Sequence, residues 1–250
     1  MRLTEDIYLI GGGSVTGFGL TSGFDCHVYL VDGGDALALV DSGVGGVVSL
    51  SEMESNIRSH GFDPEDVETA FITHYHSDHA GGGHLIRDRW GARLAVSSDA
   101  VAVLEAGDEV ANGLAAAREA GIYPDDTRFH PTPIDDSLSD GDVRRVGSAT
   151  FEFMATPGHC AGHGSYLLTS GSGATTLFAG DSLFWAGRIL LQSVPDCDLQ
   201  KSLASIERMA ATSFEAFLPG HGALTVANGQ AHFAMAKAEI DKLGVPKNLL

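Results

Sequence analysis

The sequence predicts an α/β fold in which two mixed β-sheets pack together and helices lie outside them. Three features predict it. Short apolar runs of strand length alternate with segments of helical periodicity. Several runs are neighbours joined by short turns, which argues against a purely parallel sheet. And strand-like runs end abruptly, again and again, in a turn that carries His or Asp. Two packed sheets with outer helices satisfy all three.

In chain order, residues 7–10 and 27–31 read as strands separated by a Gly-rich segment, 11–23, and 36–40 is a short strand ending in Asp41-Ser42-Gly43. Residues 47–60 have helical spacing, with Leu50, Met53 and Ile57 on one face and Gly61 as the stop. A strand over 70–73 delivers a His-rich turn, followed by a helix at 84–90 and a strand at 93–96. Residues 100–104 and 109–120 read as helices. The stretch 105–133, broken by Gly107, Gly113, Gly121, Pro124 and Pro131, reads as an insertion placed to act as a lid. Strands follow at 150–155, 165–169, 175–179 and 214–218, with helices at 199–211 and 228–243. The similarity of Ala-Leu-Ala-Leu-Val-Asp-Ser to Thr-Leu-Phe-Ala-Gly-Asp-Ser hints at an internal duplication.

With 250 residues, 44% of them hydrophobic, and no linker-like or low-complexity run, the chain reads as one domain spanning 1–250. The formal net charge of −18, with lysine only at 201, 237, 242 and 247, repels phosphate backbones and anionic lipid. Nucleic acid and membrane are therefore excluded as expected partners, and a small molecule is expected. The acidity also suits a high-salt habitat. Acidic residues near the N-terminus, no apolar window of spanning length and only three cysteines point to a cytoplasmic protein.

His74, His76, Asp78 and His79 crowd into six residues. Residues i and i+2 on an extended backbone point the same way, so His74 and His76 can share a cation, while Asp78 and His79, past the turn, can reach a second. Ordinary loops favour Gly, Pro, Asn, Asp and Ser, and have no use for closely spaced imidazoles. His159, Asp181 and His221, each at the end of a later strand, complete five imidazoles and two carboxylates. That donor set suits zinc, iron, manganese or nickel better than calcium or magnesium. The lack of cysteine among these positions argues against a closed structural zinc site.

The motif His74-Tyr75-His76-Ser77-Asp78-His79, followed by Pro157-Gly158-His159, Gly180-Asp181-Ser182 and Pro219-Gly220-His221-Gly222, resembles the metallo-β-lactamase superfamily. The resemblance runs from Asp41 to His221. It implies a four-layer αββα sandwich with a dinuclear site at one edge, holding two divalent ions, zinc first and iron or manganese as alternatives. His74, His76 and His159 would bind one metal, Asp78, His79 and His221 the other, and Asp181 would bridge them. Asp41 would support the ligands from behind, and His163 would serve a structural or supporting role.

A water between two metals about 3.5–4 Å apart becomes acidic enough to attack an electrophilic carbonyl. Asp78 is either a ligand only or also steers a proton to the leaving group. Asp181 in place of cysteine points away from β-lactam hydrolysis. The motifs from Thr156 and Gly180 resemble glyoxalase II, although only residues 222–250 follow His221, where long glyoxalases carry a helical domain. Val194-Pro195-Asp196 is similar to acyl-homoserine lactone lactonases. The expected activity is cleavage of a small ester, thioester or lactone. The alternative is a mononuclear-iron, persulfide-dioxygenase-like oxidoreductase.

His27, Phe184, Trp185, Arg188 and Gln192 are candidates for lining the substrate pocket. His60, His130 and His232 read as surface residues. A homodimer is compatible with the sequence.

Overall fold

The computed structural model describes residues 1–15, 17–21, 23–192, 194 and 196–249. Pro195 of the lactonase-like segment lies outside the described residues, as do Thr16 and Ser22 of the Gly-rich segment.

The chain opens with β1 (Ile7–Gly11), β2 (Val28–Asp32) and β3 (Leu37–Val40), followed by helix α1 (Val47–Ser59) and β4 (Val67–Phe71). Two short helices, α2 (Ser77–Ala80) and α3 (Gly83–Trp90), lead to β5 (Arg93–Ser97). Helix α4 (Val101–Ala106) leads into the 105–133 segment, which carries α5 (Leu114–Glu119). Strands β6 (Asp136–Leu138), β7 (Val143–Val146), β8 (Ala149–Ala155), β9 (Gly164–Thr169) and β10 (Thr175–Gly180) come next, then α6 (Leu199–Ala210), β11 (Ala216–Pro219) and α7 (Gln230–Ile240).

One sheet has the order β1-β2-β3-β4-β5-β6, antiparallel through β3 and parallel from β3 to β6. The other runs β11-β10-β9-β8-β7, antiparallel except for the β10–β11 pair. Both sheets are mixed, as the neighbouring strand runs require.

The strand pattern supplies the inter-sheet core. Phe71 of β4 stacks on Phe151 of β8 with ring centroids 4.4 Å apart, and Tyr166 of β9 lies 5.2 Å from Phe71. The Tyr166 hydroxyl donates to the Ile72 carbonyl at 2.9 Å, so the polar end of this buried ring is satisfied across the two sheets. Each large side chain buried this way is worth about 1.5–3 kcal/mol. On the outer face of the first sheet, α1 lays down Leu50, Met53 and Ile57, and α3 adds Ile86 and Trp90. On the outer face of the second, α6 and α7 contribute Ile206, Met209 and Phe233. Helix, sheet, sheet and helix thus form four layers.

Several expectations need correction. The 109–120 helix shrinks to α5, because the Asp108 carboxylate accepts from the Val110 and Ala111 amides and builds a turn there instead. The strand expected at 70–73 is β4, shifted toward the N-terminus. Its ladder ends at Phe71 because the Thr73 amide leaves it to donate to the Asp41 carboxylate at 2.7 Å. β6 and β7 had no counterpart in the sequence reading. His232 is a buried residue, 6% exposed, with its ring 4.2 Å from that of Trp185 and its Nδ1 accepting from the Ala186 amide.

Candidate metal centre

β3, β4, β8, β10 and β11 all end at one edge of the sandwich, and the residues just past those ends are Asp41, His74, His159, Asp181 and His221. Parallel pairing of β3 with β4, and of β10 with β11, makes this convergence unavoidable. Two further links close the edge. The Gly220 amide donates to the Gly180 carbonyl, and the Gly164 amide donates to the Thr73 carbonyl across the two sheets.

Two groups of donor atoms result. His76 Nδ1 lies 3.1 Å from His74 Nε2 and 2.9 Å from His159 Nε2. His221 Nε2 lies 3.2 Å from His79 Nε2 and 3.0 Å from Asp78 Oδ2. The Asp181 carboxylate sits between the groups, Oδ1 3.4 Å from His79 Nε2 and Oδ2 3.6 Å from His159 Nε2 and 3.5 Å from His221 Nε2. His74, His76 and His159 form one cluster able to hold a metal ion, and Asp78, His79 and His221 another.

The arrangement fits cations. Bonds of 2.0–2.1 Å to tetrahedral zinc put neighbouring ligand atoms about 3.3 Å apart, close to the separations in both clusters. Among the described residues Asp181 Oδ1 is buried with no hydrogen-bond partner, His79 Nε2 standing 3.4 Å away, a costly state that a cation would relieve. Gly220 backs the cluster so closely that a Cβ there would overlap Asp181 Oδ1 and sit 2.5 Å from His79 Cε1.

Groups behind the cluster fix its tautomers. The Asp41 carboxylate accepts from His79 Nδ1 at 2.8 Å and from the Thr73 hydroxyl at 2.9 Å. Thr73 Oγ1 in turn lies 3.0 Å from His74 Nδ1, whose proton it accepts. Both imidazoles therefore turn an Nε2 lone pair toward the site. Asp41 adopts φ 63°, a left-handed conformation that Asp tolerates better than most residues. His163 is held apart from the cluster. Its Nε2 accepts from the Asp181 amide at 3.0 Å and its Nδ1 pairs with the Thr156 hydroxyl, so it braces the backbone that presents Asp181.

Burial, reinforced by neighbouring imidazoles, holds His74 well below the ordinary imidazole pKa and His76 down to about 3, leaving neutral lone pairs. Burial opposes charge on His79 and His221 as well, but the surrounding acids, Asp181 and Asp78 among them, outweigh it and raise both. Burial would raise Asp78, yet His79 and His221 hold it down at about 2, and they keep Asp181 well below the usual carboxylate range.

His27 is fully buried. Its Nδ1 lies 3.2 Å from the Pro219 carbonyl and its Nε2 has no partner among the described residues. Its ring centroid lies 6.5 Å from that of His221. Phe184 stacks on His221 at 6.4 Å. Trp185 and Arg188 are not drawn to the cluster by the contacts described: Trp185, 44% exposed, packs on His232, and Arg188 donates to the Asn248 carbonyl. Gln192 is exposed. Tyr75 points away from its neighbours and donates to the Asp196 carboxylate.

Sequence reasoning missed Tyr123. It comes from the 105–133 segment, its hydroxyl is pushed up in pKa by burial and then by the nearby Asp78 carboxylate, and its ring packs 5.2 Å from Phe24. Only its place in a segment suspected of covering the site could have pointed to it. Asn112 reaches the same neighbourhood, donating to the Ser77 hydroxyl at 3.1 Å. Among the described residues, no helix is long and apolar enough to cross a membrane.

Comparison with known proteins agrees with this geometry. The chain is 27% identical to an atrochrysone carboxyl ACP thioesterase of Aspergillus fumigatus over 79% of its own length and 51% of that protein. It is 30% identical to a hydroxyacylglutathione hydrolase of Methylobacterium nodulans over 66% of its own length and 51% of that protein. It spans about half the length of the curated relatives it matches. A metallo-beta-lactamase of Cronobacter sakazakii shares the fold with a TM-score of 0.74, at 21% identity over 97% of this chain and 96% of that one. The sequence profile of the metallo-beta-lactamase superfamily matches residues 21–221. With that match spanning most of the chain, and with the four-layer sandwich and the His/Asp edge it surrounds, this protein belongs to the metallo-beta-lactamase superfamily.

Proposed function

We propose that the chain is a dinuclear metal hydrolase acting on a small thioester, ester or lactone, with thioesters favoured. The observation that carries the reading is Asp181, whose two carboxylate oxygens lie between two separate donor groups. His74, His76 and His159 would hold one divalent cation and Asp78, His79 and His221 the other, with zinc the first choice from donor chemistry. When bound, such a pair supplies an acidified water as nucleophile and polarises the scissile carbonyl.

The chain's own residues do the rest. Asp41 and Thr73 keep His79 and His74 in the tautomers that leave Nε2 free. Asp78 and the nearby Tyr123 hydroxyl stand at the insertion side of the cluster, suited to holding a proton near a departing thiol or alcohol. The insertion acts as a lid, delivering Tyr123 and Asn112 over the turn that carries Asp78. The acidic surface favours a small molecule over nucleic acid as partner.

Relatives described as a thioesterase and as hydroxyacylglutathione hydrolases support thioester chemistry. A mononuclear dioxygenase needs one cation held by two His and one carboxylate. The second donor group, complete in Asp78, His79 and His221, favours two cations. The test is a panel of thioesters, lactones and phosphoesters offered to the purified protein, with metal analysis and an oxygen electrode run alongside. Thioester or lactone cleavage with no oxygen uptake supports the proposal. Oxygen consumption by a protein with one iron per chain rejects it.

A further inference from the structure

A cavity of about 610 Å³ lies beside the metal cluster, between α1, α3 and the insertion. That size is in the range of small-molecule pockets. Its apolar wall is built from Phe24, Val44, Val47, Val48, Leu85 and Pro124. Val47 and Val48 open α1 and are each 65% exposed, whereas the helix's buried residues are Ser49, Leu50, Met53 and Ile57. Two adjacent β-branched residues turned away from the core contribute nothing to the packing of α1, yet they line this cavity.

The wall carries charges of both signs. Arg128, which donates through Nη1 to the backbone carbonyls of Asp125 and Thr127, faces the same cavity as the Asp126 carboxylate, so their charges offset and the wall does not call for an anionic occupant. Two wall residues connect the cavity to the cluster: Tyr123 lines it and lies near enough to Asp78 to feel that carboxylate's charge, and Gly45 packs so closely on the loop after His79 that a Cβ there would sit 2.7 Å from the Gly81 carbonyl oxygen. A ligand seated here would have its near end at Tyr123, beside the candidate cluster.

We propose that this cavity is the subsite for a neutral, apolar acyl chain of the substrate, with Tyr123 standing between the chain and the carbon under attack. The inference rests on the hydrolase reading, and the experiment separates the two. Binding of propanamide, butanamide, hexanamide and octanamide, which carry the acyl chain but resist cleavage, is measured calorimetrically on the metal-loaded protein. Hydrolysis of the matching acyl thioesters is measured in parallel.

Affinity is expected to rise about fourfold per added methylene, the factor that about 0.8 kcal/mol per buried CH2 corresponds to. Val48→Asp puts a charge in the apolar wall. It should fold, since an acid in the first turn of a helix is favourable. It is expected to cut octanamide affinity at least tenfold and flatten the rise. A melting curve like the parent's checks the fold, and Val47→Asp repeats the test at a second position.

A flat series in the parent protein overturns the cavity assignment, and so does an undiminished rise in both variants. If thioesters are cleaved while the amide series is flat, the hydrolase reading stands and the acyl subsite falls. If the series rises and neither thioesters, esters nor lactones are cleaved, the cavity stands as a site for apolar chains and the hydrolase reading falls.

Discussion

Replacing Asp41 by Asn isolates one carboxylate without changing its size. In the native protein Asp41 Oδ2 accepts from His79 Nδ1 at 2.8 Å, while Oδ1 accepts from the Thr73 amide at 2.7 Å and from its hydroxyl at 2.9 Å. The carboxamide has only one acceptor oxygen. If that oxygen keeps the Thr73 amide, an NH2 group faces the His79 N–H, and the imidazole must move its proton to Nε2. The lone pair offered to the second donor group is then gone. Losing a carboxylate that orients a metal-binding imidazole typically costs 10–100-fold in metal affinity, which corresponds to about 1.4–2.7 kcal/mol. Asn tolerates left-handed backbone, so φ 63° at this position adds little strain. The assay is competition with a chromophoric chelator, with thermal melts of the metal-free protein to confirm folding. The second cation should weaken by that factor and the first less, since Asp41 reaches the first group only indirectly, through the Thr73 hydroxyl on His74. An unchanged affinity for the second cation in a folded Asp41→Asn protein would refute the role given to the carboxylate.

Three further outcomes follow from the same geometry. Without a cation His79 and His221 are biased toward the protonated state, so loading the second group must expel protons. Its affinity should rise with pH through and above the ordinary imidazole range, while the first group, with His74 and His76 already neutral, stays nearly flat. Metal content against pH checks this, and simultaneous loss of both ions on acidification would contradict it. Gly220→Ala should reduce the metal content to one ion or less per chain, because the new methyl group overlaps Asp181 and His79; two tightly held ions would count against the placement. Phe71→Ala should cost about 3–5 kcal/mol in chemical denaturation, since it removes the ring stacked on Phe151 between the two sheets; a loss under 1 kcal/mol would mean the two faces are not packed there.

Much of the site was legible because its signals are local. Five imidazoles and two carboxylates sit at abrupt ends of apolar runs, and strand ends gather at one edge when the strands are parallel. The fold class followed from the same alternation. What the sequence hid depends on distant partners. β6 is three residues long and includes Asp136 and Ser137, and β7 carries Arg144 and Arg145, so neither has an apolar run to announce it. Arg144 and Asp136 instead join the two through an ion pair. His232 reads as polar on a helix, but Trp185 and Phe217 enclose it from elsewhere in the chain. Tyr123 sits in a Gly- and Pro-broken stretch without periodicity, and only the folding of that stretch against α2, where Asn112 bonds Ser77, brings it near Asp78.

The central claim is that Asp181 lies between two cations that together perform hydrolysis. Metal analysis of the purified protein, stripped with a chelator and then titrated back with zinc while thiol release from a thioester is followed, tests it most directly. Two ions per chain are expected, with full turnover reached only as the second binds, and one ion with turnover lost in Asp181→Ala. Full turnover at one ion per chain, or in Asp181→Ala, would contradict it.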